Sequence, residues 1–163
     1  MALDILAERA NVKRSLESYF HGIFGPSGKD FYVDYEGVPF ETKEKREWLQ
    51  PRVMDFSGEF LRQGSATQYA TNVNMMFNVN ILVTKSGTTI ADRHYVLRDK
   101  VVEHFKIGQT INIRNWTSGT TPLAILGKMK VRQLITDRPI EDEHFLQYSL
   151  TWELDWLDLT TNP

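Results

Sequence analysis

The clearest pattern along the chain is a two-residue alternation. In TNVNMMFNVNILV, residues 71–83, apolar side chains recur at Val73, Met75, Phe77, Val79, Ile81 and Val83, and Asn72, Asn74, Asn78 and Asn80 fall between them. A period of two predicts a strand with one face toward a core. The run 70–84 would span roughly 45 Å at about 3.3 Å per residue, longer than usual strands, so it is expected to reach past the body of its domain. HFLQYSLTWELDWL, residues 144–157, repeats the alternation. Leu146, Tyr148, Leu150, Trp152, Leu154 and Trp156 share one face, and Gln147, Ser149, Thr151, Glu153 and Asp155 share the other.

Helical spacing appears twice. Leu3, Leu6, Ala7, Ala10, Leu16, Phe20, Ile23 and Phe24 predict an N-terminal helix over 3–24, stopped by Gly25-Pro26-Ser27-Gly28. Thr89-Ile90-Ala91-Asp92 fits a capping box, and Ile90, His94, Leu97, Val101 and Phe105 form a stripe, so a second helix is expected over 89–107 with Gly108 just past its end. Between the helices, 31–40 reads as a short strand and turn, and 42–47 as a solvated charge run. Residues 48–56 read as an extended segment that Pro51 places at a sheet edge or bulge. Residues 57–69, with two glycines, read as a loop or the tip of a long hairpin. Later, 109–116 and 123–135 read as strands, with a bulge at Gly127, while 117–122 is a loop and 136–143 a polar connection. Two helices among hairpin-linked strands predict an α+β domain: a mostly antiparallel or mixed sheet with one long hairpin, helices on one face and a polar second face.

Composition adds bounds. A chain of 163 residues fits a single domain, 1–163, able to bury a full core. There is no cysteine, which excludes disulfides, thiolate catalysis and Cys-ligated metals, and fits a reducing compartment. No secretory signal or run of membrane-spanning length is read in the sequence. The formal charge is −2, and the 19 basic residues are spread along the chain among 21 acidic ones, without the basic cluster that tight DNA binding demands.

Known catalytic patterns do not emerge. His21, His94, His104 and His144 form no ligand pair, and Glu141-Asp142-Glu143-His144 reads as a solvated acidic turn. Gly127-Lys128 is followed by Met129 where a phosphate loop needs a hydroxyl. Asn115-Trp116-Thr117 is a glycosylation sequon, meaningful only in a secreted protein. Ser57, Ser65 and Ser86 lack a nucleophile elbow, and Asp155 and Asp158 flank Trp156 near the chain end, poorly placed to enclose a substrate. No catalytic residue, metal or cofactor is assigned.

Assembly is the remaining reading. An amide face bonds a neighbour without stranding buried charge, and unpaired hairpin edges offer strand addition between subunits. Asn72, Asn74, Asn78 and Asn80 are therefore interface candidates, the alternative being an ordinary solvated face. Trp152 and Trp156 read as core. Trp48 and Trp116 border loops and suit core or interface equally, so Trp116 joins the candidates.

The chain as a whole resembles the tail terminator proteins of long-tailed, siphovirus-type bacteriophages. The resemblance rests on element order and a few positions. These are the helix 3–24, VDYEGVPFETKEKREWLQPRVM at 33–54 with Val38-Pro39-Phe40 before a charged loop, a glycine-containing loop before the long strand, ADRHYVLRDKVVEHF inside the second helix, and FLQYSLTWELDWL among the last strands. It implies a virion protein of the head–tail junction, assembled in the bacterial host cytoplasm. Six copies would form a ring that caps the tail tube, stops its growth and presents a surface to head-completion proteins. Partners implied are further copies, tube protein and connector proteins. DNA would pass through the lumen without specific binding, which a mildly acidic chain permits. The loops at 57–69 and 117–122 are expected to order on contact, burying Phe60 or Leu61. The alternatives are another neck or tail component (stopper, tube or baseplate protein) or a small α+β enzyme or ligand-binding domain.

Overall fold

The computed structural model describes residues 9–65, 68–86, 90–116, 119 and 121–161, with side chains described outside 59–70 and 157–161. Seven elements follow in order: α1 (Arg9–Phe24), β1 (Glu47–Ser65), β2 (Gln68–Thr84), α2 (Arg93–Val102), β3 (Thr110–Arg114), β4 (Ile125–Glu141) and β5 (Phe145–Thr161). The five strands form one sheet in the order β1-β2-β5-β4-β3, and every pairing is antiparallel. The fold is α+β, as the alternation predicts. No helix among the described residues is long and apolar enough to cross a membrane.

The core lies on one face of this sheet. The six apolar positions of β2 from Val73 to Val83 are buried, as are Tyr148 to Trp156 at alternate positions of β5. α1 adds Val12, Leu16, Phe20 and Phe24, one stripe at four-residue spacing, all fully buried. α2 adds His94, Leu97 and Val101. α1 and the segment after α2 meet over Phe77. Its ring lies 6.1 Å from Phe20, 5.4 Å from Phe105 and 6.2 Å from Trp152. Trp48, Trp152 and Trp156 are buried.

A second stripe on α1 is polar and equally ordered. Asn11, Ser15 and Tyr19, again four apart, face the outer edge of β3. The Trp116 N–H donates to Asn11 Oδ1 (3.0 Å), the Arg114 N–H to Ser15 Oγ (2.8 Å), and the Trp116 indole N–H to the same oxygen (3.1 Å). The Tyr19 hydroxyl donates to the His104 carbonyl (2.9 Å) and accepts from the Gln109 amide. The helix thus satisfies backbone groups that an end strand would otherwise leave open.

Four expectations need correction. Residues 57–65 are not a loop but the outer half of β1, so 57–69 is the hairpin-tip alternative; bulges at Asp55, Leu61 and Gly64 let its polar sequence follow β2. Residues 136–141 are strand, because β5 offers a partner over Thr136 to Glu141 although the side chains mostly face water. The second helix starts at Arg93 rather than 89, since Ile90 is 69% exposed and the stripe reaches the sheet only from His94. It ends at Val102, where single turns swing Phe105 into the core before Gly108, at φ +88, directs the chain to β3. Finally, 31–40 holds no regular strand. A parallel bridge joins Val33 to Leu49, and a turn follows through Gly37 at φ +78. Pro51 lies on an edge strand as expected, and the bulge near Gly127 falls at Leu126. Residues 3–8 of the expected first helix and Thr89 of the capping box lie outside the described residues.

Phe77→Ala is expected to lower unfolding free energy by about 3–5 kcal/mol, because three aromatic neighbours lose contact at once. Urea denaturation of the two proteins measures it. A loss below about 1 kcal/mol would show that the aromatic cluster is not the keystone.

Candidate functional site

The uncovered face of the sheet can be read row by row from its register. Across β1, β2 and β5 the rows are Trp48–Leu82–Gln147, Gln50–Asn80–Ser149, Arg52–Asn78–Thr151, Met54–Met76–Glu153 and Ser57–Asn74–Asp155. Period-two geometry puts the four asparagines on this face together, as the sequence predicts.

Their roles differ. Asn78 is buried, and its amide donates to Ser149 Oγ (3.1 Å), the Leu150 carbonyl (3.0 Å) and Thr151 Oγ1 (2.9 Å). It staples β2 to β5 inside one chain, so its donors are not turned to a neighbour. Asn80 is half-buried with its amide 3.5 Å from Gln50 Oε1, and Asn72 and Asn74 share a contact of the same length. These last two, beside exposed Ser57, are the outward members of the row. Phe60 and Leu61 lie on β1, opposite the start of β2, and their side chains fall outside the described residues. Trp116 is half-buried and held by Asn11 and Ser15, which makes it an anchor of α1 on β3. Residues 117, 118 and 120 of the expected loop lie outside the described set.

Both edges of the sheet are guarded. On β1, Tyr32 and Asp34 bond Leu49 from outside, and Asp34 takes the Gln50 amide (2.7 Å) and the Arg52 guanidinium (3.1 Å). Pro51 removes one donor further along. On β4, bulges at Arg132 and Ile135 and the missing N–H of Pro139 break the open edge beyond β3. Strand addition along these stretches is therefore disfavoured.

Two clusters were not legible in the sequence. Arg98 on α2 clamps Asp137 of β4 with two nitrogens, and Tyr148 donates to the same carboxylate (2.6 Å). The Arg98 bonds hold Asp137 below the usual carboxylate range, and burial together with Asp137 pushes Tyr148 up to about 12. A tyrosine held protonated and a carboxylate fully engaged by arginine form a strut between layers, not an acid–base pair. The second cluster is cationic. Arg114 on β3 and Lys128 and Lys130 on β4 share the uncovered face beside Thr110 and Asn112. Among the described residues no group of three His, Asp or Glu is placed to hold a metal. A depression of about 740 Å³ lies open between Thr42, Lys45, Trp48, Thr84 and Phe145, where Lys45 is already engaged by the rings of Tyr32 and Phe40, 5.1 Å away.

No family model and no curated protein matches the chain. Among solved structures, one whose name describes no role aligns over 91% of this chain and 92% of its own, with TM-score 0.53 and 14% identity. That likeness concerns fold alone.

Asn78→Ala is expected to cost about 1–3 kcal/mol in unfolding free energy, since two hydroxyls and a carbonyl lose a buried donor. An unchanged urea midpoint would place those groups in water instead. A pH effect also follows from two histidines. Burial lowers the pKa of His94, against the pull of Asp92, and burial together with Lys29 lowers that of His104. The folded chain then binds fewer protons than the unfolded one below about pH 6.5, so stability falls as pH drops from there toward the folded pKa values. Denaturation curves between pH 8 and 5 measure the slope, and a His94→Gln/His104→Gln variant should flatten it.

Proposed function

We propose that the chain is a structural subunit of the tail terminator type. It forms a six-membered ring that caps the head-proximal end of a phage tail tube, ends tube growth and offers its far surface to head-completion proteins. The supporting observation is the arm. β1, β2 and β5 have 19, 17 and 17 residues. They continue together past the layer of buried Val73 and Trp156 and half-buried Phe56. An arm of roughly 15–20 Å at about 3.3 Å per residue suits contact with another subunit. The outward asparagines at its base, Asn72 and Asn74, add hydrogen-bonding capacity without charge. A ring closed by head-to-tail contacts needs two different patches on each copy. The guarded edges leave faces and the arm as the candidates for those patches.

Native mass spectrometry over a wide concentration range is expected to show a hexamer. Placing two carboxylates at the arm with Asn72→Asp/Asn74→Asp should weaken ring association tenfold or more, because burying unpaired carboxylates at a contact costs at least ~1.4 kcal/mol. Urea denaturation should show the variant's unfolding free energy within about 1 kcal/mol of the parent, the cost of setting a carboxylate opposite Asp155. Purified tail tubes mixed with the parent protein should stop elongating. Spontaneous long tubes of this chain alone would favour a tube protein instead. A monomer that neither forms a ring nor caps tubes would sink the reading.

A further inference from the structure

The sequence holds no basic run, yet the fold gathers one. Arg114, Lys128 and Lys130 come from two strands that pair Thr110 with Lys130 and Asn112 with Lys128. Alternation puts all five side chains on the uncovered face, with the two lysines about 6.6 Å apart along β4. Arg14 of α1 reaches the β3–β4 loop, where its guanidinium donates to the carbonyls of Trp116 and Gly119 (both 3.2 Å) and keeps its charge. None of these four cations lies within 4.0 Å of a carboxylate among the described residues. The nearest acid by register is Asp155, opposite Lys130, and its carboxylate is taken by Arg132 (2.6 Å). Glu153, one row further on, accepts from Gln133 (2.6 Å).

We propose that this β3–β4 face takes the sugar–phosphate backbone of double-stranded DNA, independently of sequence. The charge argues for a polyanion, because cations left without carboxylate partners on an open sheet face repel one another unless an anion covers them. The composition argues for nucleic acid over protein. Cores of protein interfaces are depleted of lysine, whereas DNA interfaces are polar and strongly positive. Thr110 and Asn112 between the cations add hydrogen-bond donors for phosphate oxygens without reading bases. Contacts of this kind read no sequence and let DNA slide.

Fluorescence anisotropy of a labelled random-sequence duplex tests the proposal. With about three phosphate contacts, log affinity should fall against log salt with a slope near −2.7, roughly a fortyfold loss between 50 and 200 mM salt. Lys128→Gln/Lys130→Gln should cut the slope to about −0.9 with an unchanged urea midpoint. A slope unchanged in the variant, no salt-dependent binding at 50 mM, or equally tight binding to polyglutamate would each overturn it, the last in favour of an acidic protein partner. Ring formation is read separately by mass spectrometry, so failure here leaves the terminator reading untouched, and failure there leaves this one standing.

Discussion

The packing of Phe77 against Phe20, Phe105 and Trp152 is the contact on which the other arrangements rest. It joins α1, the segment after α2, and the two central strands at one point. A helix of 16 residues with a single apolar stripe has little reason to stay helical alone, and a long antiparallel sheet with one apolar face has none to stay monomeric. Each supplies the surface the other must bury. Once that layer closes, the polar stripe Asn11–Ser15–Tyr19 is brought against β3, and Arg98 comes within reach of Asp137.

The same closure explains why the second sheet face stays polar and open. Both helices are spent on the core face, and among the described residues the segment around Asp34 and Phe40 is what reaches the other. Its residues answer in three ways. Asn78 turns inward to bind β5, Arg52 and Gln50 turn sideways to Asp34, and the β3–β4 cations have no carboxylate within 4.0 Å among the described residues. An amide row that looked uniform in sequence is divided by its neighbours into a staple and a free end.

How much of this could be read from the residues depends on whether the signal was local. β2 and β5 were plain because every apolar position of the alternation from Val73 to Val83 and from Tyr148 to Trp156 is buried. The first helix was plain from Leu16, Phe20 and Phe24. Thr136–Glu141 was missed because an edge strand wet on both faces has no alternation to show, and two bulges break its period. The outer half of β1 was missed because Gly58 and Gly64 look like loop residues until β2 supplies a ladder for them. The cationic face had no linear signature. Its members sit on two strands, and only the register of β3 on β4 makes them neighbours. Asn78 was found as a candidate but not its role, since its partners Ser149 and Thr151 lie on the last strand.

The strand order has a consequence for the making of the protein. β5 follows the other four strands in the chain, yet it lies in the middle of the sheet, between β2 and β4. Its closest pairing to β2 in sequence, Thr84 with Phe145, already spans some sixty residues. As the chain leaves the ribosome, the β1–β2 hairpin must therefore wait, its apolar face uncovered by half the core, until β5 emerges. Chains cut short before Phe145 lose not a fringe but the spine. Quality control is thus built into the topology: only a chain translated through β5 can close.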